Sequence, residues 1–190
     1  ARRMGILSEA GKRLAKSLTG ERLRLDLFAP EHRAELAVAC AADPDIWDIY
    51  PHSMLDEHFR PALDAMLKQP DRVVFAVVVR DQSVERVVGM TSYIKPDPHG
   101  VVEIGGTYIE PSVRGTGVND EMKKLMIEHA LDRGFRRIEF RVDTRNTRSA
   151  AAMRKLGAQL DGTLRQNVVT WTGYVRDTHV FSILKEEWRH

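Results

Sequence analysis

Residues Tyr108 to Asn119 read YIEPSVRGTGVN. An apolar strand stops at Pro111, and a glycine-punctuated turn, Arg114-Gly115-Thr116-Gly117, runs straight into an amphipathic helix. A further strand around Ile138 to Val142 follows that helix, and strand–helix–strand order commits two strands to parallel pairing within one sheet. The turn also carries chemistry. Glycine lets backbone N–H groups come close to a ligand, and a helix start presents unpaired donors and the positive end of a dipole. Such a turn holds an anion, most often phosphate, so the expected ligand is a phosphorylated small molecule.

The rest of the chain extends this unit in both directions. Residues 22–28, RLRLDLF, alternate as a first strand, and His32 to Ala42 and Met54 to Leu67 read as helices separated by a loop over 43–53. Val73 to Arg80 and Arg86 to Ile94 are β-branched runs on either side of Asp81-Gln82-Ser83, an antiparallel hairpin. The strand from Val101 to Glu110 contains Gly105-Gly106, a pair that marks a bulge or a close backbone approach. A helix over Asn119 to Arg133, with Met122, Leu125, Met126 and Ala130 on its buried stripe, stops at Gly134. A short helix from Thr147 ends at Gly157, and strands over Gln159 to Val169 and Val175 to Leu184 flank Thr172-Gly173. The order βααβββαβαββ predicts an α/β (α+β) fold: a mixed, mostly antiparallel central sheet of about 6–7 strands with helices on both faces. The expected organisation is a single domain over 21–190, preceded by a basic N-terminal arm or helix over 1–20.

Composition narrows the functional classes. The 190 residues suit one domain, and 43% hydrophobic with 29% charged residues describes an ordinary globule. No uncharged run approaches the ~18 residues of a membrane span. A net charge of +2, with Lys and Arg scattered among nearly as many acids, argues against nucleic acid. The first sixteen residues are basic (Arg2, Arg3, Lys12, Arg13, Lys16) but lack the apolar core of a signal peptide. Cys40 is the one cysteine, which leaves no intrachain disulfide and fits a reducing, cytoplasmic setting. The seven histidines show no ligand spacing, so no metal is expected.

Two familiar phosphate loops fail on the residues. No Lys-Ser/Thr pair follows the glycines, as a P-loop requires, and Asp120 stands where the dinucleotide fingerprint needs glycine. The chain instead resembles the GNAT superfamily of acetyl-CoA-dependent N-acetyltransferases. Their pyrophosphate loop, [QR]-x-x-G-x-[GA], is matched by Arg114-Gly115-Thr116-Gly117-Val118-Asn119 except at Asn119. A second segment, Asn146-Thr147-Arg148-Ser149 followed by Met153-Arg154-Lys155-Leu156-Gly157-Ala158, matches the pattern N-x-x-[SA] then Y-x-K-x-G-F, apart from Met153 and Ala158. The resemblance covers roughly residues 22–186, and the Glu103-Ile104-Gly105 strand, Ser149 and the closing strand are most like the branch of ribosomal-protein N-terminal acetyltransferases.

The resemblance implies direct attack of a primary amine, either a protein N-terminus or a small molecule, on acetyl-CoA in a ternary complex. A homodimer is compatible with it. Backbone groups near Tyr108 and Ile109 would hold the pantetheine arm, a bulge N–H would polarise the thioester carbonyl, and Arg114 to Asn119 would wrap the pyrophosphate, with Asn146 and Ser149 nearby. Many relatives place a tyrosine proton donor where this chain has Met153, which cannot donate. Ser149, one helical turn earlier, is the substitute donor, and Glu103 is the candidate base. The branch's usual glutamate base falls at Val168 here.

Each of these residues also has a structural reading. Asn146 and Ser149 suit helix caps. Glu103 suits a strand ion pair, and Trp47 and Tyr50 suit lid or core packing as well as acceptor contact. Asp177 and His179 share a strand face by period two and can pair with each other.

Overall fold

A computed structural model describes residues 4–189. Its elements are α1 (Glu9–Leu14), β1 (Leu18–Thr19), β2 (Leu23–Leu27), α2 (Arg33–Ala41), α3 (Phe59–Lys68), β3 (Arg72–Asp81), β4 (Val84–Ile94), β5 (Val101–Ile109), α4 (Val118–Asp132), β6 (Arg137–Asp143), α5 (Thr147–Leu156), β7 (Gln159–Val169) and β8 (Val175–Leu184). The strands form a single sheet in the order β1-β2-β3-β4-β5-β6-β8-β7. The sheet has eight strands rather than the expected six or seven, because a short β1 pairs with β2 through Leu18↔Leu25 and Thr19↔Arg24. Two residues carry too little pattern to be read as a strand. Every pairing is antiparallel except β5 with β6.

Strand alternation sorts the residues into two cores. Phe75, Val77, Tyr93, Val102, Ile104, Ile138, Phe140 and Phe181 point to the face covered by α1, α4 and α5. Val74, Ala76, Val78, Met90 and Tyr108 point to the face covered by α2 and α3, where Leu36, Trp47 and Leu63 meet them. The segment before residue 20 joins the first core. Ser8 caps α1 by accepting a hydrogen bond from Gly11 N, and Leu7, Ala10 and Leu14 are buried with α4. Glu121 of α4 in turn accepts from the backbone N–H groups of Glu21 and Arg22.

Helix boundaries moved slightly. Both α2 and α3 begin after a 3₁₀ turn, at Pro30–His32 and Asp56–His58, and Pro61 sits in the first turn of α3, where its missing N–H costs nothing. On α4 the buried stripe includes Val118, Ile127 and Leu131, with Leu125 only half-buried. Among the described residues no helix is long and apolar enough to cross a membrane.

Candidate active site

The site begins where the sheet comes apart. β5 and β6 pair only through Val101↔Arg137, Val102↔Ile138 and Glu103↔Glu139. Beyond Glu103, β6 stays with β8, while β5 runs on to Ile109 with β4 alone. From Ile104 to Ile109 the β6-facing edge of β5 therefore has no strand partner, and its peptide groups are available to a ligand. The expected bulge lies in this stretch. Met90 pairs with Tyr108 and Ser92 with Gly105, so Thr91 faces both Gly106 and Thr107, and Gly106 adopts φ +58°. The Tyr50 hydroxyl donates to the Thr107 carbonyl at 2.6 Å, which fixes the bulge from the α2–α3 side.

At the end of β5 the glycine turn delivers the start of α4. Gly117, at φ +90°, is the N-cap residue, and among the described residues no side chain caps this helix, so its first N–H groups stay open. A side chain at Gly117 would meet the Arg22 guanidinium, which donates to the Thr116 carbonyl at 3.2 Å. Arg114 does not reach outward as a free charge. Its Nε donates to the Ile109 carbonyl at 2.9 Å and its Nη1 pairs with Asp43 at 2.7 Å, so the guanidinium clamps the turn onto the α2 loop. The Tyr108 side chain is core: its hydroxyl donates to the Ala39 carbonyl at 2.6 Å and its ring stacks on Trp47 at 4.8 Å. What Tyr108 and Ile109 can offer a ligand is backbone.

Across the split stands the start of α5. Asn146 caps it by accepting from Ser149 N at 3.0 Å, so the capping reading of Asn146 holds. The Ser149 side chain is half-buried, and its hydroxyl makes no hydrogen bond among the described residues. Met153 is buried in the core beside Ala150.

On the α2/α3 face, Glu103 lies in register with Glu139 at the last pairing before the split. Its Oε1 pairs with Arg141 Nε at 3.2 Å. Burial pushes the Glu103 carboxyl above the usual carboxylate range, against the opposing pull of Arg141 and Arg72. The Gly105-Gly106 pair is explained here: a Cβ at Gly105 would meet the Glu103 carboxylate, and one at Gly106 would meet the Arg72 guanidinium. Register places Glu139, Arg141, Asp143, Thr178 and Arg176 on this same face. Asp143 is held below the usual range by Arg145, although burial alone would raise it.

The tip of the β7–β8 hairpin bridges this face to the α2–α3 loop. Trp171 donates through its indole to the Trp47 carbonyl at 2.7 Å and through its backbone to the Pro51 carbonyl at 3.1 Å. Trp47 itself is fully buried, and Tyr50 serves the bulge, so both act as packing. The suggested pairing of Asp177 with His179 does not form. They lie on the opposite face, where Asp177 accepts from Gln166 N at 2.6 Å and His179 meets Thr163 at 2.8 Å. Bulges in β7 at Gly162 and between Leu164 and Val168 supply these local partners.

Arg72 and Arg176 were not read from the sequence. Arg72 stands just ahead of the apolar run VVFAVVV, and Arg176 lies in VRDTHV, where charges fall on both faces, so alternation marks no functional side for either. Among the described residues no group of three or more His, Cys, Asp or Glu is arranged to hold a metal. Chemically the arrangement offers open backbone donors beside a glycine turn, a burial-raised carboxyl and an unengaged hydroxyl, which together suit proton transfer around a bound anionic cofactor.

Comparison with known proteins fits this geometry. A family model described as Acetyltransferase (GNAT) domain matches residues 22–159. Among solved structures, a probable acetyltransferase of the GNAT family from Chromobacterium violaceum ATCC 12472 is 34% identical, covering 92% of this chain and 88% of that one at a TM-score of 0.84. A GCN5-related N-acetyltransferase from Brucella melitensis is 30% identical, covering 92% of this chain and 80% of that one at 0.80. RimJ from Mycobacterium smegmatis, in complex with CoA-disulfide, shares the fold at 18% identity, 94% and 91% coverage and a TM-score of 0.78. No curated protein sequence matches significantly.

Proposed function

Because the chain belongs to the GNAT acetyltransferase family, we propose that it is an acetyl-CoA-dependent N-acetyltransferase, moving the acetyl group to a primary amine by direct attack in a ternary complex. The observation that carries this reading is the open edge of β5 from Ile104 to Ile109, set directly before the uncapped start of α4. An extended pantetheine arm can add to that edge as a strand would, through the backbone groups of Tyr108 and Ile109. The N–H groups of Gly115, Thr116, Gly117, Val118 and Asn119 suit the pyrophosphate, with Arg114 holding the turn in shape rather than supplying charge.

Bound acetyl-CoA supplies the activated thioester. A lysine-like ammonium (pKa ~10.4) or an α-ammonium (~8) must lose a proton before it can attack. Glu103 is the acceptor for that proton: burial raises its affinity toward the working pH, where a base is most effective. An N–H at the Gly106–Thr107 bulge stabilises charge on the thioester oxygen in this reading, which the bulge in β5 supports. The Ser149 hydroxyl is free to donate to the leaving sulfur, held at the helix start by the Asn146 cap. Either a protein N-terminal amine, the acceptor of the ribosomal-protein branch, or a small-molecule amine suits this scheme, and the free Cys40 is in keeping with a cytoplasmic site of action.

The test is thiol release from acetyl-CoA over a panel of amines. Turnover on at least one amine is the expected result. Tight CoA binding with no turnover on any amine would point instead to an acyl-CoA-binding protein on the same fold, in line with a Met153 that can donate nothing.

A further inference from the structure

The polar floor beneath the β7–β8 tip does not balance its own charge. Its carboxylates are all engaged: Glu103 with Arg141, Glu139 with Arg137 and Arg141, and Asp143 with Arg145. Two guanidinium groups are left over. Arg176 is only 7% exposed, yet its one hydrogen bond runs from Nε to Thr178 Oγ1 at 3.0 Å, and it has no ion pair among the described residues. Among the described residues Arg72 likewise donates only through Nε, to Ser92 Oγ at 3.2 Å. Burial depresses both, against the pull of Asp143 and then Glu103 on Arg176 and of Glu103 and then Asp71 on Arg72. Among the described residues the one fully buried side-chain donor without a partner is Trp188 Nε1, so the idle terminal nitrogens of Arg176 reach an opening rather than a sealed core.

Burying an unpaired guanidinium is costly, and a planar fork of idle donors suits a carboxylate in two-point contact. Both arginines lie on the face of Glu103, next to the bulge where the reacting amine must arrive, with Arg72 folded over Gly106 itself. We propose that the acceptor is an amine that also bears a carboxylate, of the amino-acid or acidic-peptide class, with Arg176 and Arg72 holding the carboxylate while the amine faces Glu103. This assignment rests on the acetyl-transfer reading above and narrows its acceptor. A polyamine, which carries no anion, is excluded by it, because it would leave two guanidinium groups without ion pairs and add further positive charge beside them.

The measurement compares acceptors that differ only in the carboxylate: an amino acid against its carboxamide, and a short acidic peptide against its neutral analogue, with a polyamine alongside. The carboxylate-bearing member of each pair should show at least about tenfold higher kcat/KM, the scale of one charge-assisted hydrogen bond. Arg176→Ala should raise its KM by about 10- to 100-fold and erase the preference, while leaving KM for acetyl-CoA in place. Arg176→Lys should recover part of the loss. Preference for the neutral amine or the polyamine, or an equal loss for both members of a pair, would overturn the assignment. Calorimetric titration of the wild-type protein with the N-acetylated amino acid needs no turnover, and so separates this claim from failure of the acyl-transfer reading. Binding that Arg176→Ala abolishes supports the proposal, and no binding refutes it.

Discussion

β3 and β6 present the same period-two alternation to the α2/α3 side of the sheet and put it to opposite uses. β3 offers Val74, Ala76 and Val78, which α2 and α3 seal. β6 offers Glu139, Arg141 and Asp143, which belong to neither apolar core among the described residues and which salt bridges and the β7–β8 tip organise instead. On the other face both strands are alike, with Phe75 and Val77 matched by Ile138 and Phe140 in one core. The same backbone rule thus makes a closed core at one end of the sheet and a chemical floor at the other, and what differs is whether a helix arrives. Sheet-buried apolar residues should therefore govern stability, and the residues around the split should govern rate.

The sharpest break of that comparison is Phe75→Ala. It removes a fully buried ring packed edge-on against Tyr93 and should lower the unfolding free energy by about 3–5 kcal/mol in denaturant titration. Next comes Glu103→Gln, which should cut kcat/KM by about 10²-fold or more while shifting stability little, since its partner Arg141 is solvent-exposed and the pair is worth little. The sign of the pH dependence follows from the raised carboxyl. The proposed base must be ionised, so wild-type kcat/KM should fall as pH drops, beginning above the ordinary carboxylate range, and the glutamine variant should lose that limb. Gly106→Ala straddles the two regimes: positive φ and displacement of Arg72 should cost about 1–2 kcal/mol of stability and also slow the reaction. Smallest is Ser149→Ala, which should lower kcat by about tenfold with acetyl-CoA binding intact, and an unchanged kcat removes Ser149 from the mechanism.

What could be read ahead from the sequence follows the range of the interactions involved. The turn at Gly115 to Gly117, the caps at Asn146 and Gly157 and the hairpin strands β7 and β8 depend on neighbours a few residues away, and their chemistry is written locally. Gly105-Gly106 announced a bulge, although its reason, making room for Arg72 and Glu103, needed β3 beside β5. Arg114 was expected to face the ligand. Its partner Asp43 lies far away in sequence and turned it into a clamp. Asp177 and His179 shared a face as expected, but the irregular pairing of β7 gave each a nearer partner. Leftover charge on Arg72 and Arg176 is a property of the assembled floor, so no single segment could disclose it.

Amide hydrogen exchange with and without CoA tests the central claim, that the unpaired β5 edge and the open start of α4 form the cofactor site. Protection should rise over residues 104–109 and 114–120 and change little in β3, whose Phe75–Val79 stretch already lies between β2 and β4. CoA binding that leaves both segments exchanging as before would contradict it.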